Sequence, residues 1–155
     1  MLVTLFYFSS CCLKVIFHNI YDCCFLVGEI SLAVQVDDSS TWYADGITVG
    51  STSNWRIRST FSISASTQLL AVEAYSAVSA CGIFAELSSG IVADTSWRCL
   101  ADAPSSDSWK ANPDFDDSSW LNAVGVDGAR IDGDTIWASG GCSQNAFAFC
   151  RVRLR

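Results

Sequence analysis

Few residues of this chain carry side chains suited to covalent or acid–base chemistry. The only histidine is His18, inside an apolar amino-terminal stretch. The body from Ser31 onward therefore lacks the base that a serine or cysteine nucleophile needs. Glu73 and Glu86 are the only glutamates of that body. A glycosidase works through a pair of carboxylates. These two instead lie in short runs opposite apolar residues and read as outward-facing, or as hydrogen-bonding partners within a sandwich. The chain is not expected to be an enzyme.

The eight cysteines fall in two groups. Cys11, Cys12, Cys23 and Cys24 lie near the amino terminus, and Cys81, Cys99, Cys142 and Cys150 in the body. No Cys-x-x-Cys pair occurs, so no zinc site has sensible ligand spacing. Cystines in an oxidising compartment account better for the second group, with free buried thiols as the alternative. Asp102, Asp107, Asp114, Asp116 and Asp117 gather in one acidic loop. Carboxylates are hard-ion ligands, but the spacing matches no specific calcium loop, and turn-forming or capping roles compete. No cofactor is expected, with a structural calcium left open.

Six tryptophans are the remaining lead. Flat aromatic faces suit the C–H surfaces of sugars, and neighbouring Asp, Asn or Arg suit the hydroxyls. Trp97, Trp120 and Trp137 sit in strand-like contexts and are expected in the core. Trp55, beside Asn54 and Arg56, and Trp109, beside Lys110 and Asn112, sit in polar loops. Those two are the candidate surface platforms, against the alternative of tryptophans capping the sandwich end.

Such residues need a scaffold. The 155 residues suffice for one domain. Half are apolar, and only 16% are charged, a profile that fits an extracellular all-β module. The net charge of −7 repels phosphate backbones, so nucleic acid is excluded as a partner. The basic residues are dispersed apart from Arg151, Arg153 and Arg155, which read as a solvated strand face.

Residues 1–30 are set apart by their Leu, Phe, Val, Ile and Cys content. A cleaved secretory signal is the natural reading, though Lys14 interrupts the apolar run and no basic residue precedes it. A non-native extension and a membrane anchor are the alternatives. An anchor would be the chain's only route to a membrane, and Lys14, His18, Asn19 and Asp22 argue against it.

From Ser31 to Arg155 a two-residue period dominates. Leu32, Val34 and Val36 alternate with Ala33 and Gln35, and Phe61, Ile63 and Ala65 with serines. Leu70, Val72 and Ala74, then Ile83, Ala85 and Leu87, continue it. Strict alternation means strands with one face buried. Asp45-Gly46 between Thr41–Ala44 and Ile47–Gly50 predicts a type I′ hairpin, and Asp127-Gly128 and Asp132-Gly133 mark further turns. The stretch from Ala101 to Ser119 holds both prolines and reads as a long ordered loop. In Phe115-Asp116-Asp117-Ser118-Ser119-Trp120, the aromatics are expected to plug the core while Asp116 and Ser118 bond local amides. No helix of about ten residues is expected. Many short strands at this spacing predict an antiparallel β-sandwich or jelly roll.

Facing predicts the cystines. Trp97 and Cys99 share one strand face, and Cys150 shares a face with Ala148 and Val152, so both cysteines point inward. Cys81 and Cys142 each adjoin a glycine and read as loop residues. The expected pairs are Cys99–Cys150 and Cys81–Cys142.

The order of motifs resembles the galactose-binding-like jelly-roll family over residues 31–155. Asp45-Gly46 stands where relatives often carry an Asn-Gly hairpin, with Ser53-Asn54-Trp55 after it. Leu70-Ala71-Val72-Glu73-Ala74 and Gly82-Ile83-Phe84-Ala85-Glu86-Leu87 resemble two family strands. Asp94-Thr95-Ser96-Trp97-Arg98, the Phe115–Trp120 motif and Ile136-Trp137 complete the set. Ala77-Val78-Ser79-Ala80-Cys81 departs from it, where relatives often have an Asn- and Gly-rich turn. Relatives often bind a structural calcium. The resemblance implies a secreted, non-catalytic carbohydrate-binding module whose partner is a glycan or glycoprotein. A structural or adhesive module, or an accessory domain of a glycosidase-like protein, are the alternatives.

Overall fold

A computed structural model of the chain describes residues 28–154. The signal, extension and anchor readings of residues 1–30 thus fall almost wholly outside the described residues, as do the four amino-terminal cysteines. Glu29 and Ile30 already belong to the first strand.

In chain order the strands are β1 (Glu29–Asp37), β2 (Ser39–Ala44), β3 (Ile47–Thr52), β4 (Ser59–Ser64), β5 (Leu69–Ser76) and β6 (Gly82–Leu87). After β7 (Arg98–Leu100) and a one-turn helix, α1 (Ser108–Ala111), come β8 (Leu121–Asn122), β9 (Val124–Gly125), β10 (Ile136–Trp137) and β11 (Ala146–Arg153). They form two sheets, β4-β1-β6-β10-β9 and β3-β2-β5-β11-β7-β8. Every pairing is antiparallel. The chain is an antiparallel β-sandwich.

Alternation dictates the core. Leu32, Val34 and Val36 from β1 and Ile83, Ala85 and Leu87 from β6 meet Trp42, Val72, Ala148 and Cys150 from the other sheet. Each such aliphatic side chain contributes roughly 1.5–3 kcal/mol on burial. Trp42 and Trp97 cross edge to face, their centroids 6.4 Å apart, near the middle of this layer. Trp97 and Trp137 are buried in this core, as expected, whereas Trp120, expected to plug it, is buried in a separate cluster outside it.

The hairpin forms as read. Asp45 and Gly46 both take positive φ, 48° and 83°, as a type I′ turn requires. At the other two Asp-Gly pairs only the glycine does. The Asp45 carboxylate accepts the Leu69 amide at 2.8 Å, and the Asp45 amide donates to the Leu69 carbonyl at 3.0 Å, tying the turn to β5.

Both cystines form the expected pairs. Cys99 and Cys150 are direct cross-strand partners on β7 and β11, their Cα atoms 4.2 Å apart. Cys81 and Cys142 join two loops, with Cα atoms 5.5 Å apart.

A second, smaller cluster lies on the outer face of the six-stranded sheet. Tyr43 and Ala71 point outward there because Trp42 and Val72 point in, and the 101–120 loop drapes Trp109 and Trp120 over them. Helix α1 delivers Trp109. It stops at Asn112, which is extended (φ −103°, ψ 114°) because Pro113 follows. Phe115 is only half-buried and packs on this outer cluster, not in the main core.

This cover corrects one reading of the sequence. Arg151 is not on a solvated face but 1% exposed. Its guanidinium donates to the carbonyls of Asn112 and Pro113 at 3.1 and 3.2 Å and pairs with Asp117 at 3.2 Å. Burial lowers its pKa, which Asp117 partly offsets. Arg153, which donates to the Phe115 carbonyl, stays exposed.

Candidate functional site

Half of the outer face remains uncovered. Strand register lines up two rows across it. In one, Ser51, Thr41, Glu73 and Phe149 are successive cross-strand neighbours; in the other, Ser39, Tyr75 and Phe147 are. Together they line an open groove of about 310 Å³. Ser39, Thr41 and Ser51 give one side hydroxyls, and Tyr75, Phe147 and Phe149 give the other aromatic faces.

The aromatic side is ordered. Phe147 and Phe149 lie nearly parallel (15°) with centroids 6.2 Å apart, as i and i+2 on one strand face must. Tyr75 packs on Phe147 at 4.9 Å, and its hydroxyl donates to the Asn145 side chain at 2.7 Å. Phe147 is 48% exposed. Glu73, at the boundary with the covered half, pairs with Lys110 at 3.1 Å, and Lys110 also pairs with Asp107 and sits 4.5 Å above the Tyr43 ring. Burial works against the Lys110 charge, but Asp107 and Glu73 outweigh it and raise its pKa. Burial, then the neighbouring Glu73, raise that of Tyr43. A groove of aromatic faces and hydroxyls is a surface for binding polar, C–H-rich molecules.

The candidates read from the sequence fare unevenly. Trp109 is 2% exposed and is no surface platform. Its ring is packed against Trp120 at 5.7 Å and Phe149 at 6.0 Å. Lys110, Ala111 and Asn112 separate it from Pro113, and the one-turn helix α1 turns the ring onto the sheet. Asn112 is exposed, but its side chain accepts the Asp114 amide and its carbonyl is held by Arg151, so it shapes the loop. Asn54 likewise accepts the Arg56 amide at 3.0 Å. Trp55 is half-buried, with the guanidinium groups of Arg56 and Arg130 at 4.1 and 4.6 Å from its ring centroid. The partners of Trp55 and of Trp109 are entirely different, so the structure does not bring the two tryptophans into one site.

Beside Trp55 lies an ionic cluster. The Asp37 side chain is fully buried at the crossing between sheets, and Arg130 binds it through Nε at 2.7 Å and through a second, terminal nitrogen. The same terminal nitrogen reaches Asp38 at 2.6 Å. Burial raises the Asp37 carboxyl above the usual carboxylate range against the pull of Arg130. Asp38 is also pushed up by burial, but the Ala77 amide, Asp37 and Arg130 outweigh it and hold it low.

In the acidic loop, Asp107 and Asp117 are engaged by Lys110 and Arg151, and Asp116 accepts the Ser118 amide at 3.0 Å. The Ser118 hydroxyl and amide hold Asp116 below the usual range. Among the described residues no group of three or more His, Cys, Asp or Glu is placed to hold a metal ion.

The groove is faint in the sequence, because the pattern of β11 is dominated by its inward cysteine and outward arginines. Phe147 and Phe149 share the arginine face, and two aromatics at i and i+2 outside a core are the signal. No protein-family model, curated protein or solved structure matches the chain.

Proposed function

We propose that the chain is a non-catalytic carbohydrate-binding module, a jelly roll of the galactose-binding-like kind, acting outside the cell. The observation that carries this reading is the groove on the six-stranded sheet. A sugar ring laid on Phe147 and Phe149 buries its C–H face against them, while Ser39, Thr41 and Ser51 are within the same groove to bond its hydroxyls. The rigid strands hold these groups in place before binding, which reduces the ordering cost. Two cystines suit an oxidising compartment.

A glycan array tests the reading. The wild-type chain binds a subset of glycans, and Phe147→Ala weakens that binding about tenfold or more, the loss of one aromatic contact of ~1.4 kcal/mol. Silence across the array, or binding indifferent to Phe147→Ala, contradicts it. Silence favours the structural or adhesive role.

A further inference from the structure

Three arginines, Arg56, Arg58 and Arg130, gather on one side of the sandwich. Trp55 carries two guanidinium groups against its ring, from Arg56 and Arg130. Its carbonyl accepts a 2.7 Å bond from the Gln35 side chain. Gln35 is the cross-strand neighbour of Phe84, and Phe84 carries a third guanidinium, that of Arg58, at 4.0 Å. Arg58 also donates to the Asp132 carbonyl at 3.0 Å, two residues beyond Arg130. Two aromatic–guanidinium stacks thus stand side by side on the outer face of the five-stranded sheet.

Their charges are not equally met. Arg130 is neutralised by Asp37 and Asp38. Arg56 and Arg58 are exposed, and among the described residues neither is paired with a carboxylate. In a chain with 16 acidic and nine basic residues, two unneutralised cations seated on neighbouring aromatic rings of one sheet face need a reason. A guanidinium held over a ring keeps N–H groups at its edge, the fork that grips an oxyanion, although one terminal nitrogen of Arg58 already donates to the Asp132 carbonyl.

We propose that Arg56 and Arg58, held over Trp55 and Phe84, form a subsite for one oxyanion substituent, a sulfate ester or a carboxylate, on an acidic polysaccharide. This rests on the glycan-binding reading above and adds the class of glycan. The net charge of −7 selects a sparsely charged polymer over a densely charged one, because the rest of the surface repels polyanions.

The test uses matched polymers: κ-carrageenan against chemically desulfated κ-carrageenan for sulfate, and a largely methyl-esterified pectin that keeps scattered free carboxylates against its fully esterified form for carboxylate. At low salt at least one acidic polymer binds more tightly than its neutral match, and salt erodes the preference. Arg56→Gln with Arg58→Gln weakens acidic binding about tenfold and leaves neutral binding unchanged. Arg153→Gln removes one such charge at the opposite end of the other sheet and has no effect. Which acidic arm responds distinguishes sulfate from carboxylate. Equal binding of acidic and neutral polymers overturns this inference alone. Acidic binding that survives Phe147→Ala but not the arginine changes supports it and removes the groove reading. Binding to phosphatidylserine vesicles without any polysaccharide preference, or no binding at all, overturns it.

Discussion

Trp109 and Phe149 meet edge to face at 6.0 Å, and their contact divides the outer face of the six-stranded sheet in two. On the Trp109 side the 101–120 loop covers the strands. On the Phe149 side they stay open and form the groove. One aromatic row therefore serves both as packing and as candidate binding surface.

Trp109→Ala removes the centre of the covered half. It is expected to lower unfolding free energy by about 3–5 kcal/mol, measured by urea denaturation. A loss below ~1 kcal/mol would mean that the loop is held by Arg151 and not by its aromatics.

Gly46→Ala strains the hairpin twice. Gly46 has φ +83°, and a Cβ there would lie 2.6 Å from the Ala111 Cβ. The expected cost is about 1–3 kcal/mol, read from the shift of the denaturation midpoint. Unchanged stability would contradict the contact between turn and α1.

Asp38 links stability to acid. Its carboxyl is held below the ordinary 3.8, so its contribution is complete above that pH and lost as pH falls through its lower folded value. Asp38→Asn is expected to destabilise by about 2 kcal/mol at pH 7 and by progressively less below pH 3.8. Asp37 has the opposite sign: its pKa is raised, so its charged form costs stability that protonation restores. Stability curves of Asp38→Asn and wild type that stay parallel down to strongly acidic pH would refute the assignment.

Each cystine closes a long loop, with separations of 51 and 61 residues. Chain entropy gives each about 4 kcal/mol. Peptide mapping without reductant is expected to yield Cys99–Cys150 and Cys81–Cys142, and a Cys81–Cys99 product would break the pairing.

Much of the sandwich was legible in the sequence because alternation reports directly which face of a strand is buried. Leu32, Val34 and Val36, the Asp45-Gly46 turn and the inward Cys99 and Cys150 all follow from local pattern. What was not legible depends on tertiary cover. Nothing near Arg151 in sequence says that a loop some 40 residues earlier will bury it. Trp109, flanked by Lys110 and Asn112, looks solvent-facing until α1 turns it onto Tyr43 and Ala71. The pairing of Trp55 with Arg130 joins loops 75 residues apart and has no local signature.

The most direct measurement is an NMR titration of the isotope-labelled chain with neutral oligosaccharides of galactose, glucose and mannose. The groove predicts saturable amide shifts centred on Ser39, Thr41, Ser51, Tyr75, Phe147 and Phe149. Shifts confined to other surfaces, or none with any sugar, would contradict it.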